Sequence, residues 1–445
     1  MRAIIVGGGN LGSSIAELLT REEYDVTVIE SKEENIAALE ERLDARVMHG
    51  NGASISVLQS AGIAEASLLL AMTSSDEVNI VACLLGKQAG AEYAVARVSN
   101  TEYVTTRNAG GSFLSDIDLL INPEWISARE IATLIEVPEA LDVMYFAERQ
   151  AMMLELPITG KSPVKGRSMK QMNPESPHLI AAIVRGNKVI IPRGEDRILE
   201  GDVVYLLAQT REMTRIEHLL GMKREETASV MILGGGRAGR FLARFLEEKN
   251  YAVKIIEKDY GRCEALSEEL SHTLVIHGDA ADLDLLKQEG AGRADVFICV
   301  TDDDKENLLI AVIAKHLGAK RTIALIRRPE YVNIMEGVGI DIGVSLRALT
   351  AGAIFRFIKR SANLLSFTYL RDEEASMLEF IVPQTCKIAN RKLMDIQFPL
   401  NAIIGSILRD GEVRIAKGND MLKPNDRITV ICLPKAIDQV IALLR

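Results

Sequence analysis

Three glycines, Gly7, Gly9 and Gly12, mark the passage from an apolar run, "MRAIIV", into a stretch with helical spacing, "NLGSSIAELL". Each serves phosphate chemistry differently. Gly7 permits a tight turn, Gly9 leaves room for a pyrophosphate to approach the backbone, and Gly12 lets helix and strand pack closely. The helix start offers free N–H groups and a partial positive charge to an anion. Gly8, Asn10 and Leu11 therefore belong to the same candidate cradle. Glu30 ends the next apolar run, and a carboxylate there accepts hydrogen bonds from both ribose hydroxyls. It would also repel a 2′-phosphate, so NAD or NADH is expected rather than NADP.

The device occurs twice. Slid along itself by 227 or 228 residues, the chain places Gly7, Gly9, Gly12 and Glu30 on Gly234, Gly236, Gly239 and Glu257. Gly235, Arg237 and Ala238 complete the second cradle. "HGNGAS" at 49–54 falls on "HGDAAD" at 277–282, which puts Asn51 and Asp279 after a third strand, in reach of an adenine or its ribose. "AMTSSDEVNIVA" at 71–82 falls on "CVTDDDKENLLI" at 299–310. Thr73, Ser74 and Asp76, with Thr301, Asp302 and Asp304, then follow a fourth strand. Ligands sit outside the carboxyl ends of parallel strands, so these residues face one cleft. The competing reading for each is a solvated turn. Arg97 ends a fifth strand, placed to meet a phosphate. Its counterpart is Leu325, so the second cleft lacks that contact unless Arg327 or Arg328 supplies it.

Elements to position these residues are legible. Residues 1–122 and 228–345 alternate short apolar strands with helical stretches, the pattern of βαβ units around a parallel sheet. In the first half the strands are expected near 2–6, 25–30, 45–49, 67–72, 93–98 and 118–121. Residues 140–221 and 365–445 instead alternate short strands around tight turns, with Gly186-Asn187 and Asp410-Gly411 as two-residue hairpin loops. A closing helix is expected at the end of each. Between the two parts of each half, "ISAREIATLI" (126–135) and "LRALTAGAIFRFI" (346–358) read as amphipathic helices, linkers or dimer arms. The expected fold is α/β: two Rossmann-like doubly wound parallel-sheet domains, each followed by a small α+β domain.

Composition narrows the function. The formal net charge of −10 over 445 residues argues against a nucleic acid partner, which calls for clustered Lys and Arg. Five cysteines (Cys83, Cys263, Cys299, Cys386, Cys432) include no CxxC pair, so neither a zinc site nor a disulfide framework is expected. No apolar run approaches the ~20 residues of a membrane-spanning helix, and the opening strand leaves no room for a signal-peptide pattern. Catalytic machinery is missing as well. The sequence holds no Tyr-x-x-x-Lys pair, no HExxH and no Gly-x-Ser-x-Gly. "GKS" at 160–162 resembles the end of a P-loop, but Glu155 stands where the upstream glycine is required. An NAD-dependent oxidoreductase is the alternative class, and the small domains offer no polar cluster to hold its substrate.

The order of parts, with "IIVGGGNLGSSIAELL" and Glu30, "HGNGAS", "AMTSSDEVNIVA", "AVARV" and the hairpin before "RILEGDVVYLL", resembles the Trk-type potassium-uptake regulatory subunits, the tandem RCK family. The resemblance covers essentially the whole chain. It implies a cytoplasmic protein, peripheral on the membrane through a potassium-translocating partner of Trk or Ktr type, binding NAD or NADH, with ATP or ADP bound by some members. It implies a homo-oligomer, a dimer or a higher ring. Asn51 departs from the family's usual Asp, and Leu325 from the first-half Arg97. Both departures point to different nucleotide preferences at the two sites.

Overall fold

The computed structural model of the chain describes residues 1–103, 114–136, 140–147, 150–172, 178–186, 188–212, 215–216, 229–358, 364–370 and 375–444. Two compact units result, Met1–Ala132 with Ala228–Ile354, and Thr133–Thr227 with Phe355–Arg445. Each unit collects the corresponding parts of both halves.

The first unit contains two six-stranded parallel sheets. The first is built from β1 (Arg2–Val6), β2 (Asp25–Glu30), β3 (Arg46–His49), β4 (Leu68–Ala71), β5 (Tyr93–Arg97) and β6 (Leu119–Ile121), in the order β3-β2-β1-β4-β5-β6. These bounds match the expected strands within a residue or so. Leu68 to Ala71 are buried throughout, as a strand covered by helices on both faces requires. The chain reverses direction across the sheet between β1 and β4, which opens a crevice at their carboxyl ends. The second sheet repeats this order with strands Ser229–Leu233, Ala252–Glu257, Leu274–His277, Val296–Cys299, Arg321–Ile326 and Ile342–Ser345.

A helix follows each sheet, Pro123–Glu136 and Leu346–Ile358, the first starting before the expected residue 126. Their caps correspond. Asn122 Oδ1 accepts from Trp125 N at 2.9 Å, and Ser345 Oγ accepts from Ala348 N at 3.2 Å. Glu124 and Arg347 therefore hold equivalent positions. Both meet the opposite half within this unit. Arg347 Nη2 donates to Glu17 Oε2 at 2.9 Å, and Trp125 packs edge-on against Phe245 at 5.9 Å between ring centroids.

The second unit contains two antiparallel five-stranded sheets, strands Asp142–Phe146 to Val203–Gln209 and Leu364–Leu370 to Arg427–Cys432. One apolar cluster joins them, with Met153, Tyr205 and Leu207 from one sheet and Met377, Val413 and Ile431 from the other. The Asp410-Gly411 hairpin has φ of 52° and 79°, the left-handed pair a primed turn needs. Asn187 of the other hairpin, and most of the first closing helix, lie outside the described residues. The second closing helix is Ile437–Leu443.

Each small domain is pinned by an ion pair to a buried aspartate, which the sequence pattern did not single out. Arg185 Nε and Nη2 donate to Asp202 Oδ1 and Oδ2, each at 2.8 Å, and Leu199 N donates to Oδ2 at 2.7 Å. Arg409, Asp426 and the amide of Lys423 repeat the arrangement. Burial pushes the Asp202 carboxyl up, but the Arg185 and Leu199 hydrogen bonds outweigh it and hold it below the usual carboxylate range. The folded pKa is thus the lower one, and the stabilisation is present above the unfolded value of about 4. Asp202→Asn should cost about 2 kcal/mol in urea unfolding at pH 7. The gap to wild type should narrow as pH falls through the folded value. An undiminished gap in acid would remove the ion pair as its cause.

Candidate functional site

Both glycine loops are built alike. Gly7 and Gly234 turn with φ of +100°, a conformation costly for any residue with a Cβ. A Cβ on Gly12 would run into the carbonyl oxygen of Gly7, and one on Gly239 into that of Gly234. Cβ atoms on Gly9 and Gly236 would meet nothing within 4 Å. The middle glycine of each loop thus faces open space. The helices Asn10–Arg21 and Arg237–Glu247 start at these loops with no side chain capping their first amides, so those N–H groups remain available to an anion.

A buried carboxylate fixes each loop. Glu30, 6% exposed, accepts from Gly8 N at 2.8 Å through Oε2 and from Lys32 N at 2.9 Å through Oε1. Glu257, 4% exposed, accepts from Gly235 N and Asp259 N, each at 2.8 Å. Glu30 Oε1 also meets Ser31 Oγ at 3.5 Å, and Glu257 Oε2 lies 3.5 Å from Arg262 Nη1; Glu30 Oε2 and Glu257 Oε1 each keep a lone pair for a further donor.

The other candidates divide into two groups. Asn51 and Asp279 are exposed, and each Oδ1 caps its own turn, on Ala53 N at 2.9 Å and Ala281 N at 2.8 Å. Ser74 is exposed, as is Asp302. By contrast, Asp76 accepts from the amides of Ser99 and Asn100, and Asp304 from those of Arg327 and Arg328. These two aspartates tie the loop after the fifth strand to the helix after the fourth. Thr73 and Thr301 are held by a residue the sequence reading missed. Buried Asn79 accepts from Thr73 N and Oγ1 at 2.9 and 2.8 Å, and donates to Thr73 O and Arg97 O at 3.1 and 2.9 Å. Asn307 makes the same four bonds to Thr301 and Leu325. The signal was present as a Thr and an Asn six positions apart in both "AMTSSDEVN" and "CVTDDDKEN".

Arg97 Nη2 donates to Glu124 Oε1 at 3.0 Å. Leu325 is fully buried, and Arg327 stands in its place at the second cleft, bound to Thr301 O and Asp302 Oδ1, each at 2.7 Å. A cavity of about 700 Å³ opens over the second loop. Gly234, Gly235, Gly236, Arg237, Ala238, Glu257, Asp279, Thr301 and Asp302 all line it, and Gly239 lies beneath. Arg240, Arg262 and Glu124, not anticipated from sequence, line it too.

Sheet order, glycine loops and fixed acids define a chain of two Rossmann units, each paired with a small antiparallel domain. Residues 3–123 and 230–346 match the TrkA-N domain family, and residues 153–221 and 377–445 the TrkA-C domain family. The Trk system potassium uptake protein TrkA of Vibrio alginolyticus is 33% identical over 443 residues, 98% of this chain and 96% of that one. The TrkA homolog of Archaeoglobus fulgidus is 32% identical over 445 residues, the full length of both. The chain belongs to the TrkA family of Trk-system potassium uptake proteins, regulatory RCK proteins rather than enzymes. Its fold is shared by the GsuK RCK domain (TM-score 0.66, 22% identity, 99% of this chain and 95% of that one). The NAD-bound GsuK channel also shares it (TM-score 0.66, 21% identity, 99% and 79%).

The two glycine types separate in a melting experiment without ligand. Gly239→Ala should destabilise by about 1–3 kcal/mol through overpacking, whereas Gly236→Ala, entering open space, should shift the melting midpoint little. Equal shifts would mean the loop is not built as described.

Proposed function

We infer that this chain is the nucleotide-sensing cytoplasmic subunit of a Trk-type potassium-uptake system, and that it gates a membrane-embedded translocating partner according to occupancy of its two clefts. The observation that carries this is the pair of preformed loops, each with uncapped helix amides, a fixed acid, and open space at Gly9 or Gly236. NAD or NADH suits them: the pyrophosphate lies over the loop and the adenosine ribose at Glu30 or Glu257. ADP and ATP present the same ribose and diphosphate. GsuK, of the same fold, has been crystallised with NAD and with ADP. Among the described residues no helix is long and apolar enough to cross a membrane, so action on an ion pathway has to run through a partner. A homo-oligomer, dimer or ring, would present several clefts to that partner. Nucleotide shifts such an assembly only by its differential affinity for the assembly's states.

Thermal shift of the full chain with NAD, NADH, ADP and ATP tests the sites. A ligand at a hundred times its Kd should add about 2.7 kcal/mol to the native state. Gly9→Val and Gly236→Val should each reduce the shift, and the double variant should lose it. A double variant that responds like wild type would place the ligand elsewhere. Glu30→Ala should weaken binding at the first cleft by roughly 1.5–3 kcal/mol, read by calorimetry. Potassium flux through the co-purified partner that ignores every nucleotide would remove the gating role while leaving the sites.

A further inference from the structure

The second cleft contains a side chain from the first half. Glu124, from the helix Pro123–Glu136, lines the cavity over Gly234–Gly236. Its side chain is 12% exposed. Oε1 is bound to Arg97, which ends the fifth strand of the first sheet. Oε2 is buried and has no hydrogen-bond partner. Arg240 lines the same cavity, its Nη1 3.4 Å from Glu269 Oε2, and its Nε is also buried without a partner. A half-satisfied carboxylate and a half-satisfied guanidinium therefore line one cavity. Buried polar atoms without partners are costly, so such an arrangement has a ready alternative.

We propose that Glu124 couples the two nucleotide clefts, exchanging Arg97 for Arg240 when an anionic nucleotide fills the first. This rests on the nucleotide reading of both clefts given above. With the first cleft empty, Arg97 neutralises Glu124 and Arg240 stays available to phosphates over the second loop. A diphosphate in the first cleft draws Arg97 toward itself. Glu124 then carries uncompensated charge into the second cleft and takes up Arg240. Both effects weaken phosphate binding there, so the coupling is negative for ADP-like ligands. By reciprocity, filling the second cleft weakens the first by the same factor.

The test is calorimetric titration of ADP into the full chain. In wild type, second-cleft affinity with the first cleft filled should be about tenfold lower than in Gly9→Val, where the first is closed. In Glu124→Gln, nearly isosteric, that ratio should fall close to one. Arg97→Met keeps the stem, removes the cation, and should abolish the ratio too. A Glu124→Gln chain that keeps the tenfold ratio overturns the proposal, as does a wild type whose clefts fill independently. Gly236→Val separates the two levels. If it leaves both binding events intact, the second cleft is not a nucleotide site and both readings fall. If it removes one event while Glu124→Gln leaves the coupling unchanged, only the role of Glu124 falls.

Discussion

A carboxylate bound to a glycine amide holds each candidate site in shape. Glu30 reaches from the end of β2 to Gly8 N, and Glu257 from the end of its strand to Gly235 N, in both cases across the loop that follows the central strand. A buried carboxylate is tolerable only when donors surround it, and here the donors are backbone amides of the loop itself. The acid and the loop therefore stabilise each other before any ligand arrives. Little ordering remains to be done on binding, which keeps more of the contact energy as affinity.

The duplication separates what the backbone needs from what a ligand meets. Four residues that bind backbone atoms away from the turns' own caps are paired type for type: Glu30 with Glu257, Asn79 with Asn307, Asp76 with Asp304, and Asp202 with Asp426. Side chains on the cleft side differ. Asn10 corresponds to Arg237, Ser13 to Arg240 and Ser99 to Arg327. Ser13 Oγ turns back onto Gly9 O at 2.9 Å, while Arg240 lines the cavity. The same scaffold thus presents two electrostatically different clefts.

The first half's strand bounds and the glycine loops were legible because they follow from local rules: apolar runs of strand length, helical spacing and the steric demands on glycine. Spacing located the acids that end β2 and its copy, but not their bonds to Gly8 N and Gly235 N. Asp76 and Asp304 show where such reading stops. An aspartate opening a helix looks the same in sequence whether it faces a ligand or two amides after the next strand. Arg97 shows the other limit. Its partner, Glu124, lies 27 residues on, on a helix whose docking against the opposite half depends on tertiary packing that no local periodicity encodes. The Arg185–Asp202 pair was hidden likewise, since its members lie 17 residues apart in sequence.

The crossing contacts also suggest why the halves are fused. Glu124 and Arg347 are equivalent positions of opposite charge, and each reaches the other half. Arg347 meets Glu17, and the residue corresponding to Glu17 in the second half is Arg244. Were two first halves to pair in this way, Glu124 would approach Glu17. Two second halves would bring Arg347 to Arg244. Like charges at a partly buried contact would disfavour both pairings, whereas Arg347 and Glu17 are matched. Covalent fusion supplies one copy of each half at high effective concentration, and the charge pattern rejects the homotypic alternatives.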